Sequence, residues 1–406
     1  MQAAHERRRK GRWIRRALVL FGLAVAGACL WDVVTYDREA WLADYARLKH
    51  DLAHGYANLD WIRDHRGLDL AELDRQTTHA LATAHSRLRA SLALRAFLRR
   101  FDDPHLRLEP RRPPSPPATS GSTAPVRPVA APPAAVVDCA AAGYEEGDHA
   151  FVFPFAEMPG WRQLRAGDFP IGRVGDTGIL RIAQFGERRY RSACQRVFRP
   201  GMDAHALQLA VRAEQQRLLV DSLETLGRDG ARRLLVDVTG NGGGTEWVTE
   251  VVALMTGRAL TRAASRRVGP ECDRDAVWAN EPVCPVLAPA GEAEVLQGTG
   301  RWRGPLLVLA DRGTASAAED FVAWLQQNRV AVVIGERTLG AGCGYTNGAR
   351  RTRLEVLPLE VAMPDCARFL ADGTNELEGI APDIAMDTRA ADAPARLLSV
   401  LQTLPR

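Results

Sequence analysis

Ser316 stands in the stretch Asp311-Arg312-Gly313-Thr314-Ala315-Ser316-Ala317-Ala318-Glu319, between the apolar run PLLVLA and the helical pattern DFVAWLQQN. A serine among small residues where a strand turns into a helix is well placed for a nucleophile. Its hydroxyl is weak alone and needs a base beside it. Lysine is a poor prospect, because the only lysines are Lys10 and Lys49, far from Ser316 in sequence. All nine histidines precede Ser316. Most fall in helical surface patterns. His105 alone follows a helix, in the extended segment Asp102-Asp103-Pro104-His105-Leu106-Arg107-Leu108.

Two further segments have the composition of a site. RRLLVDVTGNGGG reads as a buried strand ending in a glycine turn at Gly240–Gly244. It lacks the lysine and the Ser/Thr of a phosphate-binding loop. Asn375-Glu376-Leu377-Glu378-Gly379-Ile380-Ala381-Pro382-Asp383 offers two carboxylates just before a glycine.

The order of these segments, with Gly335-Glu336-Arg337-Thr338-Leu339-Gly340 between the last two, resembles the carboxy-terminal processing peptidases and tricorn-core peptidases, a family of serine peptidases. The resemblance covers residues about 175–390 well and the preceding helices more loosely. It implies an α/β core of the crotonase-like, layered type with an N-terminal helical domain, and hydrolysis of peptide bonds through an acyl-enzyme. One branch of the family uses a lysine just after the GERT-like segment, where this chain has Ala341. The other uses a histidine from an Asp-x-His segment, matched here by Asp103-Pro104-His105. The resemblance therefore implies Ser316 as nucleophile, His105 as base and Glu376 as the group that orients His105. Glu378 is the alternative, since carboxylates two apart on a strand face the same side.

Imidazole titrates near neutrality, so it can take the serine proton and return it to the leaving amine. The oxyanion needs preorganised N–H donors. Gly242, Gly243 and Ala317 are the candidates, because a glycine turn lets backbone approach substrate without a Cβ. Glu319 reads as a structural residue that orients the loop or caps the helix, where a carboxylate is favoured. Many relatives carry a PDZ domain, but residues 139–175 show no carboxylate-binding glycine loop. The rival readings are a non-catalytic binding protein for apolar ligands on the same fold, a membrane scaffold, or a hydrolase of small esters.

The elements that must position these residues follow from periodicity. Residues 37–109 form a helical domain ending in the Asp-x-His segment, with apolar residues at three and four spacing. Residues 110–137 are a Pro/Ala-rich linker. Residues 138–406 alternate strands and helices, as an α/β layer fold requires. Residues 1–36 hold a basic cluster and then an apolar run from Ala17 to Trp31, which reads as a signal or membrane anchor. The run is short for a span of about 20 residues. The favoured expectation is an uncleaved anchor in an inner membrane, with the rest outside the cytoplasm. Cys29 ends a weak lipoprotein-like box.

Six other cysteines suit an oxidising compartment. Closeness in sequence favours Cys272–Cys284 and Cys343–Cys366, leaving Cys139–Cys194; unpaired buried thiols are the alternative. A formal net charge of +4 on 406 residues gives no argument for nucleic acid. No Cys/His spacing suggests zinc, and no cofactor is expected.

Overall fold

The computed structural model describes residues 2–111, 135–270, 272–346 and 349–404, with side chains from residue 18 onwards. Most of the expected linker lies outside these residues. A seven-stranded sheet forms the centre of the α/β part. Its strands, in chain order, are β1 (Arg162–Arg165), β2 (Ile171–Val174), β3 (Thr177–Arg181), β4 (Arg233–Asp237), β5 (Leu306–Ala310), β6 (Ala331–Gly335) and β7 (Ile384–Ala385). Their order across the sheet is β7-β6-β5-β4-β3-β2-β1. The pairs β1–β2 and β2–β3 are antiparallel, and the four pairs from β3 to β7 are parallel.

Strands β4 and β5 read LLV and LLVL because both faces are covered, and every residue of each is buried. Continuous apolar runs are expected of interior parallel strands with helices on their faces. One face carries the helices Ala204–Arg228, Trp247–Leu254 and Ala317–Gln327, whose apolar residues join Val236, Val308 and Val333 in one core. The other face packs Leu235, Leu307, Leu309 and Ile334 against the C-terminal helix Ala393–Thr403 and Phe153, Phe155 and Met158. This is the expected layered α/β architecture with an N-terminal helical region.

Of the helices Arg38–Gly55, Leu59–Asp64, Leu70–Ala82 and Arg87–Arg99, all but Leu59–Asp64 start at a side-chain cap. Asp37 accepts from the Glu39 and Ala40 amides, Asp69 from Glu72, and Ser86 from Arg89, which satisfies amides that an isolated helix leaves open. These helices do not close a core by themselves. Trp41, Leu48, Phe97 and Phe101 pack with Val277, Trp278, Leu354, Val361 and Leu377 from the later chain. The strand Arg107–Pro110 also pairs antiparallel with Leu359–Met363. His105 thus lies in a crossing that is tied down on both sides.

The first helix runs over Gln2–Val34 and leaves Leu18, Phe21, Leu23, Leu30 and Trp31 exposed. Among the described residues, no single helix is long and apolar enough to cross a membrane. A bent pair with Arg38–Gly55 passes the length and composition test, but that second helix buries Trp41, Tyr45, Leu48 and Leu52 in the helical core. The cysteines pair as Cys139–Cys194, Cys272–Cys284 and Cys343–Cys366, leaving Cys29 free and exposed.

Leu309 is fully buried one residue before the end of β5, whereas Val295 is 69% exposed. Leu309→Ala is expected to lower unfolding stability by about 2–5 kcal/mol. Val295→Ala is expected to change it by less than about 0.5 kcal/mol. Urea unfolding of the two variants checks the layer assignment.

Candidate active site

Strand β5 ends at Ala310, and the chain turns sharply into the helix Ala317–Gln327. Asp311 locks the turn. Its Oδ1 accepts from the amides of Gly240 (2.7 Å) and Gly313 (2.9 Å) and from Thr314 Oγ1 (3.2 Å). That single hydroxyl proton is shared with the Val238 carbonyl at 2.9 Å. The Ala315 amide donates to Asn241 O. The serine turn and the glycine turn are therefore one unit. Ser316 sits at its tip with φ 56° and ψ −118°. A non-glycine residue at such a conformation is strained by about 1–3 kcal/mol, and the surroundings must enforce it. Ser316 remains half-buried.

Glu319 supplies much of that enforcement. It is fully buried, and its carboxylate accepts five hydrogen bonds. The donors are the Ser316 amide (2.8 Å), Thr338 Oγ1 (2.7 Å) and the amides of Gly340 (2.7 Å), Ala341 (2.9 Å) and Gly342 (3.1 Å). Burial pushes its pKa above the ordinary value, opposed by the bonds from Thr338, Gly340 and Ser316. Four backbone N–H groups can only donate, so this nest suits the ionised carboxylate.

The loop gathered by Glu319 also holds His105. The Ala341 carbonyl lies 2.7 Å from His105 Nδ1. A carbonyl only accepts, so Nδ1 carries the proton and Nε2 keeps its lone pair. The ring lies against Gly344, where φ is +73° and an added Cβ would come within 2.8 Å of His105 Cε1. Tyr345 packs edge-on to the ring and donates its hydroxyl to the His105 carbonyl. Asp103 braces the approach: Oδ1 accepts from the His105 amide (2.8 Å), and Oδ2 from Tyr56 Oη (2.7 Å) and Asn58 Nδ2 (3.0 Å). Burial lowers the His105 pKa. Asp103 and the Ala341 carbonyl oppose that shift, while Arg107 and Arg368 add to it.

Glu376 is not the group on the His105 ring that the sequence led us to expect. It is buried, and its Oε2 is 2.6 Å from Arg368 Nε. Among the described residues no hydrogen bond joins Glu376 to His105. The reason is local: Asn375 caps the turn Glu376–Glu378 through the Leu377 amide and accepts nothing from the histidine, while Arg368 faces Glu376 across the hairpin. Arg368 Nη2 then reaches the carbonyls of Ser316 (3.1 Å) and Gly342 (3.0 Å). Glu378 is also engaged elsewhere, by Trp61 Nε1 (2.8 Å) and Arg66 Nε (2.7 Å).

The three expected oxyanion donors separate similarly. The Gly243 amide is already donated to Asn241 Oδ1 at 2.8 Å. The Ala317 and Gly242 amides make no hydrogen bond among the described residues. Gly243 matters for space instead. With φ +97°, an added Cβ would stand 2.8 Å from both Ala317 N and Ser316 Cβ. Ser316 Oγ and His105 make no hydrogen bond to each other. They share a frame, because Glu319 bonds both the Ser316 amide and the Gly340–Gly342 amides, and the Ala341 carbonyl of that loop bonds His105. Asp103, Asn58, Asn375 and Arg368 were not singled out from sequence. Of these only Asp103 carried a signal, as the first residue of Asp-x-His.

Residues 176–386 match peptidase family S41. The tail-specific protease of Haemophilus influenzae is 30% identical over 166 residues, which is 40% of this chain and 21% of that protein. The match thus spans about a fifth of that relative's length. Two solved structures of CPAF share the fold. A mutant form gives a TM-score of 0.62 at 14% identity, covering 90% of this chain and 97% of that one. The mature form gives 0.59 at 15% identity with the same coverage.

Glu319→Gln turns an NH2 group toward amides that can only donate. It is expected to lower unfolding stability by at least about 3 kcal/mol, as a buried charged acceptor is lost. Denaturant unfolding measures this. A change below about 1 kcal/mol would show that the carboxylate does not hold the loop.

Proposed function

Because the chain belongs to peptidase family S41, we propose that it is a serine endopeptidase with Ser316 as nucleophile and His105 as general base. The observation that carries this reading is the shared loop: Glu319 bonds the Ser316 amide and the Gly340–Gly342 amides, and the Ala341 carbonyl bonds His105 Nδ1.

In this mechanism Ser316 Oγ attacks the scissile carbonyl carbon and its proton passes to His105 Nε2. The carbonyl oxygen becomes an oxyanion and is met by the Ala317 and Gly242 amides. His105 then gives the proton to the leaving amine, and the acyl-enzyme remains. A water molecule, deprotonated by His105, releases the acid and restores Ser316. The orienting role expected of Glu376 passes to the Ala341 carbonyl. The charge of Asp103 favours the imidazolium that forms during each step. Glu376 acts one remove away, by holding Arg368 on the Ser316 carbonyl. No metal or cofactor enters any step.

The substrate is a peptide or protein. Three disulfides favour an oxidising compartment. We place the catalytic part outside the cytoplasm, with the apolar face of Leu18–Val34 as its signal or anchor.

Ser316→Ala and His105→Ala are each expected to lower kcat/KM on a peptide library by at least about 10³-fold, read by mass spectrometry. Activity in the parent that survives both substitutions would overturn the reading. A silent parent that binds apolar ligands would favour the binding-protein alternative.

The pH profile tests the environment of the base. The active form is neutral His105, and burial lowers its pKa from 6.5. Activity should hold down through pH 6.5 and fall only at lower pH. An acid limb centred above 6.5 would contradict this.

Arg368→Ala and Glu376→Gln break one pair. Each should lower kcat with little change in KM, and the double variant should be no worse than the poorer single one. Additive losses would show that Glu376 acts independently of Arg368.

A further inference from the structure

The segment before β1 folds back onto the helix Arg191–Val197. Cys139–Cys194 links the two, and the Gly147 amide donates to Arg189 O at 2.9 Å. Here His149 is only 6% exposed and stacks on Tyr190 with ring centroids 4.4 Å apart. Its Nε2 lies 3.1 Å from the Arg189 carbonyl. That carbonyl fixes the proton on Nε2 and leaves the lone pair on Nδ1. Nδ1 is buried and has no hydrogen-bond partner.

Two carboxylates converge on this ring. One ligand atom each from Glu146, His149 and Asp168 lies within 4.8 Å of the other two. Asp168 is already ion-paired with Arg196 at 2.5 Å, so the unpartnered His149 Nδ1 and the Glu146 carboxylate are what a further cation would gain. A ring nitrogen whose other N–H is held by a backbone carbonyl is the usual arrangement of a metal-bound histidine.

We propose that Glu146, His149 Nδ1 and Asp168 form a binding site for one divalent transition-metal ion of the zinc class. One imidazole and two carboxylates suit zinc, with bonds of about 2.0–2.2 Å and water in the fourth position. Asp168 is partly engaged, by Ser192 Oγ and Arg196 Nη2, both at 2.5 Å. Glu146 accepts from the Ser192 amide at 3.1 Å. These bonds hold the carboxylates in place and leave further lone pairs on them. Glu146 is exposed and can close the last distance. Glu146 and His149 also line a cleft of about 480 Å³ with Phe151, Phe153 and Trp161, which gives the ion a way in. The ion would clamp the segment around Glu146 to the following helix, independently of the proposed hydrolysis.

The full chain, freed of metal by chelator without reductant, is titrated with zinc chloride by calorimetry and thermal unfolding. One equivalent should bind and raise Tm. Glu146→Gln, on an exposed residue that should fold normally, should weaken binding at least tenfold, and His149→Gln should abolish it. His50→Gln is the control, because His50, His54 and Asp275 form a second, surface cluster. Zinc binding that disappears with His50→Gln, or is unchanged in Glu146→Gln, overturns the proposal, as does the absence of any bound zinc. If His149→Gln does not fold, Glu146→Gln decides alone.

Discussion

The Glu319 carboxylate is the constraint on which the site depends. It lies at the start of one helix and is bonded to the amide of Ser316 and to three consecutive amides of a loop beyond the next strand. A buried carboxylate without partners would be costly. With five donors it becomes a fixed point that sets the distance between two pieces of irregular backbone. The strained conformation of Ser316 is stable because its amide is held by Glu319 and its carbonyl by Arg368. Removing either grip would let the residue relax toward an ordinary turn.

The loop from Gly340 to Gly344 has no regular structure of its own and contains three glycines with positive φ. Such a segment is flexible unless restrained. Three kinds of bond restrain it. Glu319 takes its first amides, Arg368 takes the Gly342 carbonyl, and Cys343–Cys366 joins it to the short strand Cys366–Ala367 beside Arg368. Within the loop so held, the Ala341 carbonyl points to His105. Glu319 and Arg368 therefore help to orient the histidine through the loop, beside its direct contacts with Ala341, Gly344 and Tyr345.

Much of this was legible in the sequence, and the remainder has a physical reason. The buried strands announced themselves as LLV and LLVL because interior parallel strands are apolar on both faces. Ser316, His105 and the glycine turn could be nominated because their residue types and order resemble a known pattern. Two disulfides followed closeness in sequence, since short loops bring cysteines together easily, and Cys139–Cys194, 55 residues apart, was the pair left over. The partner of His105 was hidden because it is a backbone carbonyl, and any residue could have supplied it. Gly243 was assigned a donor role from its type, but Asn241 two residues earlier takes that amide. What covers the helical region was hidden as well. Periodicity reveals an apolar face but not what covers it, and here Trp278, Leu354 and Leu377 from far along the chain do so.

That shared core bears on how a base from the N-terminal part can serve a nucleophile far along the chain. His105 lies four residues after Phe101, which is buried among residues of both parts. Asp103 ties the same turn to Tyr56 and Asn58, and Asn58 Oδ1 accepts from Asn375 Nδ2 at 3.0 Å. Asn375 in turn orders the turn that carries Glu376, and Glu376 holds Arg368 against the Ser316 carbonyl. A continuous set of buried polar contacts thus runs from the base segment to the nucleophile without passing through the substrate site. Such networks specify one arrangement only when every member is satisfied. It follows that the spacing of Ser316 and His105 is a property of the packed whole. Neither the helical region nor the α/β part, taken alone, contains the contacts that would set it.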